Sequence, residues 1–408
     1  MKKTTKFNSP LFSNVNVGEK IKDLKLNGRY NEAIELLKKP NTFYSSKDIN
    51  LEISDCYFEI KEYALAKEYI LKSIKANGET LYLLGKLSSI YYLLNDFENF
   101  LKVGNQLLSL NDTQDFLEIH TKPKPIGNDK TKNIISFSIY GDSPRYCETA
   151  ILNTIEAKNL YPNWTCRFYV DRSVPQEVLD RLVANGAELH FVSDEVKKMI
   201  HGTMWRFLVI DDENIDRFII RDADSIVSTR EQYAVNEWLE SDKAFHIMRD
   251  GYTHTDIILA GMWGGVTGII KDIKSQILKY NKICQSKLYF GQDQHFLRDV
   301  IWKQIKSSVL HHDSQFNYEN TVKFPNHPQQ ENGHENRPNF HVGWDTTSEF
   351  SIPSNKKNGE KFSWTIVDKE NHVICKYTST VKANKFTFVV PIPYLEKLNS
   401  KDWSVQVI

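Results

Sequence analysis

The 408-residue chain has no excess of charge of either sign, since Lys+Arg and Asp+Glu both number 52. That balance excludes the basic footprint of a nucleic-acid binder and leaves no acidic tail. Apolar runs are short, and none approaches the ~18 residues of a membrane-crossing helix. The first residues, MKKTTKFNSPLFSNVNVGEK, are basic without an apolar stretch behind them. No secretory signal is read there, and the expected compartment is the cytoplasm. The five cysteines (Cys56, Cys147, Cys166, Cys284, Cys375) are scattered with no C-x-x-C pair. They fit reduced thiols and exclude a disulfide or zinc framework. Also missing are G-x-x-x-x-G-K-[ST], a G-x-G-x-x-G after the first predicted strand, and G-x-S-x-G. A P-loop, a dinucleotide-binding turn and a serine-hydrolase elbow are therefore unsupported.

What is present divides into three texts, as expected for a length beyond one hydrophobic core. In the first, GRYNEAIELLKK, KEYALAKEYILKS and NDFENFLKVGNQLL align, with Tyr30, Tyr63 and Phe97 in one column and Ala33, Ala66 and Phe100 in another. An amphipathic helix precedes each copy. Paired helices at a period of 33 to 34 residues resemble the tetratricopeptide repeat, here over residues 16–120. The resemblance implies either a surface for a protein partner or a helical scaffold with no ligand of its own. The third copy departs from the pattern, with Phe100 where a small residue is usual and Gly104 inside the helix. Around Asn111 to Asn133 the periodicity stops and Pro, Lys, Gly and Asn accumulate, which reads as a linker.

Over 131–348 strands and helices alternate, which predicts an α/β domain with a mostly parallel sheet. NIISFSIYG, WTCRFYVD, AELHFVS and RFII are the predicted strands, and TMWRFLVI is predicted as a helix. Directly after RFII comes Asp222-Ala223-Asp224, the one Asp-x-Asp in the chain. About one such triplet is expected by chance at this length, so placement decides its meaning. In parallel sheets ligands bind beyond the carboxyl ends of the strands. Two carboxylates there repel each other unless a cation joins them, and Mg²⁺ or Mn²⁺ commonly takes one or two carboxylates plus phosphate oxygens.

With this triplet at a strand end, the stretch from Ile134 to Gly343 resembles the GT-A glycosyltransferases, particularly the glycogenin and bacterial lipopolysaccharide glycosyltransferase group. SFSIYGDSPRYCETAI resembles a bacterial group of nucleotide-diphospho-sugar transferases that carry helical repeats in front. The resemblance implies Asp222 and Asp224 as ligands of Mn²⁺ or Mg²⁺, holding a nucleotide-diphosphate sugar, with a UDP-sugar favoured. It implies donor contacts from Arg206, sixteen residues before Asp222, and from the LAGMWGG turn with Gly261, Trp263 and Gly264. Tyr140, Gly141 and Asp142 fall where a nucleoside lies in this fold, with Asp171 a lesser candidate. Arg221 is a further phosphate-binding candidate.

The element YFGQDQHFL resembles a family Asp-Gln pair at the acceptor side, Asp293 and Gln294, with Gln294 taken as a donor contact. Asp293 is then a general base toward an acceptor hydroxyl, or a group that stabilises the donor sugar, or a helix N-cap. His341 in FHVGWD stands near a late histidine ligand of the family, one residue closer to its glycine; His312 competes with it as the third metal ligand. Trp263 stacks on a sugar or base, or sits in the core. His254 and Asp256 are acceptor-side candidates, and the 325–339 loop is a candidate cover for the donor.

Residues 349–408 read as short strands and polar turns, a small β-rich appendage. The functional expectation is a metal-dependent transfer of sugar from a nucleotide-diphosphate donor to a glycan or lipid-linked acceptor, in bacterial surface polysaccharide synthesis. Two rivals stand beside it. A nucleotidyltransferase making an activated sugar normally has a Gly-rich loop with Arg and Lys after the first strand, which IYGDSPRY lacks. A non-catalytic adaptor would use the repeats alone.

Overall fold

The computed structural model describes residues 14–39, 48–113, 115–284, 291–328, 334–382 and 384–407. The chain forms two compact units, 1–110 and 111–408.

The first unit is helical: α1 (Asn14–Leu26), α2 (Tyr30–Leu37), α3 (Ile49–Glu59), α4 (Tyr63–Asn77), α5 (Leu81–Leu93) and α6 (Phe97–Asn111). The sequence period reappears in the backbone. Gly28, Lys61 and Asn95 each adopt positive φ, at 71°, 62° and 58°. After each, the next amide bonds back to a carbonyl five residues earlier: Arg29 to Leu24, Glu62 to Tyr57 and Asp96 to Tyr91. This is the left-handed C-terminal cap that closes a helix, built three times. Asp48 and Thr80 accept from the amides of Leu51 and Leu83 and start α3 and α5. Ala33, Ala66 and Phe100 are all buried. Phe100 fills its larger space by an edge contact with Tyr92, ring centroids 5.2 Å apart.

The second unit is built on a seven-stranded mixed sheet. In chain order its elements begin β1 (Asn133–Ile139), α7 (Pro144–Leu160), β2 (Thr165–Val170), α8 (Gln176–Ala184), β3 (Glu188–Phe191), α9 (Asp194–Met199) and β4 (Arg217–Arg221). They continue through α10 (Thr229–Glu240), β5 (Phe245–Arg249), β6 (Met262–Val266), α11 (Ile273–Ile283), α12 (Gln292–Phe296), α13 (Trp302–Ile305) and β7 (Val309–Asp313). The order across the sheet is β3-β2-β1-β4-β6-β5-β7. Strands β3, β2, β1 and β4 run parallel, β6 runs antiparallel to both its neighbours, and β5 and β7 are parallel. This is a Rossmann-like α/β arrangement, and β1, β2 and β4 are almost wholly buried, as a sheet covered on both faces requires.

The stretch expected as a helix over 203–210 instead forms tight three-residue-per-turn coils, Gly202–Asp211. The reason lies in β1. Ser138 Oγ accepts from the Arg206 amide at 2.9 Å and Ser136 Oγ donates to the Arg206 carbonyl at 2.8 Å. Both backbone groups of Arg206 are thereby held against the strand, where an α-helix would turn them along its own axis.

Residues 347–407 form β8 (Thr347–Pro353), β9 (Lys361–Asp368), β10 (Val373–Thr380), β11 (Lys385–Pro391), α14 (Ile392–Asn399) and β12 (Trp403–Val407). Strands β10-β9-β12 make one small sheet and β11-β8 another. Their apolar side chains, among them Trp364, Phe388 and Val390, join one core with Ile151 of α7, Leu182 of α8 and Phe168 of β2. At that seam Glu148 of α7 is fully buried. It receives two hydrogen bonds of 2.9 Å from Arg181 and one each from Tyr377 and Tyr394, at 2.6 and 2.9 Å. The β-rich segment thus shares the interior of the α/β unit.

Tyr289 and Phe290 of YFGQDQHFL, residues 329–333 of the expected covering loop, and residues 1–13 of the basic start lie outside the described residues. No described helix is long and apolar enough to cross a membrane.

Candidate active site

Strand β4 ends at Arg221, so Asp222 and Asp224 leave the sheet at the carboxyl end of a strand flanked by parallel β1 and antiparallel β6. The apolar run that makes β4 a buried strand is what delivers the two carboxylates to this edge. Their side chains differ in exposure: 43% for Asp222 and 17% for Asp224. Behind Asp222 lies Gly261, where an added Cβ would collide with the Asp222 carboxylate. A side chain there would push the carboxylate aside, and the LAGMWGG turn contributes the glycine that leaves it in place.

Arg206 is the hub. Its Nη1 donates to Asp222 and, at 3.0 Å, to the Arg221 carbonyl, while Nη2 donates to Asp293 at 3.2 Å. The side chain is 4% exposed. Arg206 therefore joins the triplet to the Asp-Gln element. A helix-surface ion pair, the ordinary reading of such an arginine, does not describe it.

Asp293 lies in the first turn of α12, and its carboxylate is buried. The N-cap position belongs to Gly291, with φ of 85°, so Asp293 is not the cap. Gln294 ties the same turn to the glycine loop: its Oε1 accepts from the Ala260 amide, and its Nε2 donates to Asp256 at 3.0 Å. Gln294 thus positions the loop that backs Asp222, and its polar atoms are engaged by protein groups.

Asp224 faces another arginine, Arg145, at the start of α7. Its Oδ2 accepts from Arg145 Nε at 3.1 Å and Nη2 at 2.7 Å. Arg145 Nη2 also lies 2.9 Å from Asp345. Burial, followed by the neighbouring Asp222 carboxylate, pushes the Asp224 carboxyl up to about 6. Four carboxylates (Asp222, Asp224, Asp293, Asp345) thus share two guanidinium groups (Arg145, Arg206). A negative remainder held at a strand end is the charge pattern that a divalent cation fits.

Several expected site residues lie elsewhere. Trp263 is fully buried in β6, with its ring edge-on to Phe207 and Phe218 at 5.9 and 5.3 Å, so it is a core residue with no face for a ligand. Gly264 is also inside the sheet, where a Cβ would stand 2.6 Å from the Phe218 carbonyl oxygen. Its smallness serves strand packing. Arg221 is turned inward, donating to Glu231 at 2.9 Å, and Tyr161 donates to the same carboxylate at 3.1 Å. That ion pair is structural and leaves Arg221 off the phosphate side.

His341 packs against His254 with ring centroids 4.8 Å apart. Among the described residues, Asp222, Asp224 and His341 do not form a trio whose ligand atoms lie within 4.8 Å of one another. The trio that does is Asp368, Glu370 and His372, in the turn between β9 and β10. His254 Nδ1 accepts from the amides of Asp250 and Gly251 at 3.1 and 2.8 Å, so this ring is held neutral. Burial, and next the adjacent His341, lower it to about 3. His312, the competing ligand, is bound 2.8 Å from His246 and 3.3 Å from Glu237.

At the end of β1, Tyr140 is 40% exposed and lies edge-on to Trp205 at 5.4 Å. Its ring covers Gly202, where any Cβ would strike it. Gly141, at φ of 77°, turns the chain, and its amide donates to Ser173 at 2.6 Å. Asp142 is exposed. Asp171 accepts from Ser173 and pairs with Lys197 at 2.5 Å, so it braces the turn. Sequence reading passed over Arg145, Asp345 and the two β1 serines. SPRY and GWD contain both charged residues, but nothing in their spacing joins residues 145 and 345.

No protein-family model matches the chain, and no curated protein matches it. Solved structures give partial likenesses. An O-GlcNAc transferase mutant from Thermobaculum terrenum matches at 9% identity over 51% of this chain and 45% of its own, with a TM-score of 0.24. A 4-diphosphocytidyl-2C-methyl-D-erythritol synthase from Anaerococcus prevotii matches at 11% over 46% and 92%, TM-score 0.28. Glucosyl-3-phosphoglycerate synthase from Mycobacterium tuberculosis matches at 11% over 53% and 82%, TM-score 0.30. The matched part of this chain thus spans under half of the first of these proteins. Likenesses this slight carry neither fold nor function, and the assignment rests on the residues themselves.

Proposed function

We propose that the second unit is a metal-dependent glycosyltransferase that takes its sugar from a nucleotide-diphosphate donor, with UDP-sugars the first class to test. The observation that carries this reading is the bridge Asp222–Arg206–Asp293 at the carboxyl end of β4, with Asp224 beside it. Asp222 and Asp224 would hold Mn²⁺ or Mg²⁺; His341, packed on His254, is not assigned to the metal. When bound, the cation would neutralise the diphosphate as it leaves.

The chain's own residues supply the rest. Tyr140, Gly141 and Asp142 form the exposed turn on which the nucleoside would lie. Arg206 fixes the distance between the carboxylates that face the diphosphate and the sugar. Asp293, held by Arg206, is the group placed to accept a proton from an acceptor hydroxyl or to stabilise positive charge on the sugar. The acceptor class we favour is a glycan or lipid-linked glycan of the bacterial surface, handled on the cytoplasmic side. The helical unit, read as a tetratricopeptide-like scaffold, would offer a surface for a protein partner.

Calorimetry with UDP in Mn²⁺ and in EDTA, on the wild type and on Asp222→Asn/Asp224→Asn, tests the reading. Metal-dependent binding that disappears in the double variant is expected. Folded protein that binds neither UDP, GDP, CMP nor TDP would end it and leave the helical repeats as the functional part.

A further inference from the structure

Arg145 has no role in the reading above, yet it occupies the carboxylate that the metal would need. Asp224 Oδ2 takes both Nε and Nη2 of Arg145, and Nη2 is shared with Asp345. Arg206, the other site arginine, is 4% exposed and fixed at both ends, so it cannot turn. Arg145 is different: its side chain is 38% exposed, and its guanidinium stands 5.3 Å from the Tyr146 ring at the edge of the site. It lies three to five residues after Tyr140, Gly141 and Asp142, at the entry to α7.

We propose that Arg145 is a ligand of the donor's diphosphate, held on Asp224 and Asp345 until a divalent cation takes Asp224. The proposal rests on the metal-dependent donor reading above. A single carboxylate oxygen that already accepts two guanidinium N–H groups cannot also give its charge to a metal at full strength. The bonds from Arg145 fall on Oδ2, so it is a cation spanning both Asp224 oxygens that would displace the arginine. Asp345 retains it near the site, and the planar fork of donors then meets the phosphate oxygens, for which that geometry is suited.

Linkage gives this arrangement two effects of opposite sign. Arg145 weakens the metal when the metal is alone, because the two compete for Asp224. It strengthens the nucleotide once the metal is present, because it has been released toward the diphosphate. A residue that merely braced α7 would shift both in the same direction or neither.

The test is titration calorimetry of Mn²⁺ alone, and of UDP at saturating Mn²⁺, on wild type, Arg145→Ala and Arg145→Gln. The glutamine variant keeps a polar stem where alanine fails to fold, and melting curves check both. Both variants should bind Mn²⁺ alone several-fold more tightly and UDP with Mn²⁺ roughly tenfold more weakly, the scale of a charge-assisted hydrogen bond. Unchanged or weaker Mn²⁺ binding, or unchanged UDP binding, in a folded variant overturns the proposal while leaving the donor site standing. Failure of the wild type to bind either ligand overturns both.

Discussion

Arg206 Nη2 lies 3.2 Å from the Asp293 carboxylate, joining the residue sixteen positions before Asp222 to the one seventy-one positions after it. Both side chains are buried. Removing the arginine strands Asp293 and frees Asp222. Arg206→Met should destabilise the second unit by about 3–5 kcal/mol, the usual consequence of leaving a buried charge without its partner. Urea unfolding measures it. Arg206→Lys, with one ammonium for two acceptors, should recover stability only in part.

Asp224 carries a pH dependence with a definite sign. Its carboxyl is raised to about 6 in the folded chain, above the ordinary 3.8, by burial first and Asp222 second. The folded state then holds the proton more tightly than the unfolded one, so Asp224 costs stability as pH rises from about 4 through 6. Asp224→Asn should melt higher than the wild type at pH 7.5, by roughly 1–3 kcal/mol. The two should converge near pH 4. Mn²⁺ affinity of the wild type should climb through pH 6, since the ligand must lose its proton.

Trp263 and Asp222 make opposite predictions for donor binding. Trp263 is sealed in β6, so Trp263→Phe should lower the melting temperature and leave UDP affinity within about twofold. Asp222→Asn should weaken UDP binding in Mn²⁺ by tenfold or more (about 1.4 kcal/mol). Loss of UDP binding in a well-folded Trp263→Phe protein would contradict the buried position assigned here.

In the helical unit, Lys61 and Asn95 occupy the left-handed position that Gly28 fills in the first hairpin. A side chain there is strained, more for lysine than for asparagine. Lys61→Gly should stabilise the unit by roughly 0.5–1 kcal/mol, Asn95→Gly by less, and Gly28→Ala should destabilise it. Thermal melts of the full chain, followed by helix signal, test all three.

How far the sequence could be read depended on distance along the chain. The three left-handed turns follow a local period, and the strand ahead of Asp222 follows an apolar run, so both were legible. The spacing of Arg206 from the triplet was legible but its role as a bridge was not, because its partners lie on two separate elements. TMWRFLVI has the composition of a helix; the serines of β1, sixty-eight and seventy positions away, impose the tighter coil. Trp263, Gly264 and Arg221 sit in words that look functional, and what separates them from Gly261 and Asp222 is their neighbours: Phe207, Phe218 and Glu231 inside the fold, where Gly261 abuts the Asp222 carboxylate. The seam around Glu148 joins residue 148 to residues 377 and 394, a separation no local pattern reports.

The antiparallel course of β6 has a consequence for how this site can change. A strand entering the sheet from the opposite direction brings its leading loop, Ile257–Gly261, to the same edge where β4 releases Asp222. The backing of the carboxylate and the carboxylate itself thus meet at one edge, although α10 and β5 separate them along the chain. Residues 250–258, upstream of that contact, are tied to several elements at once: Asp250 accepts from Arg230 and the Val342 amide, and Asp256 accepts from Gln294. A change anywhere in that bonded loop is therefore felt at Asp222 through Gly261, along the backbone and not through the layer of helices.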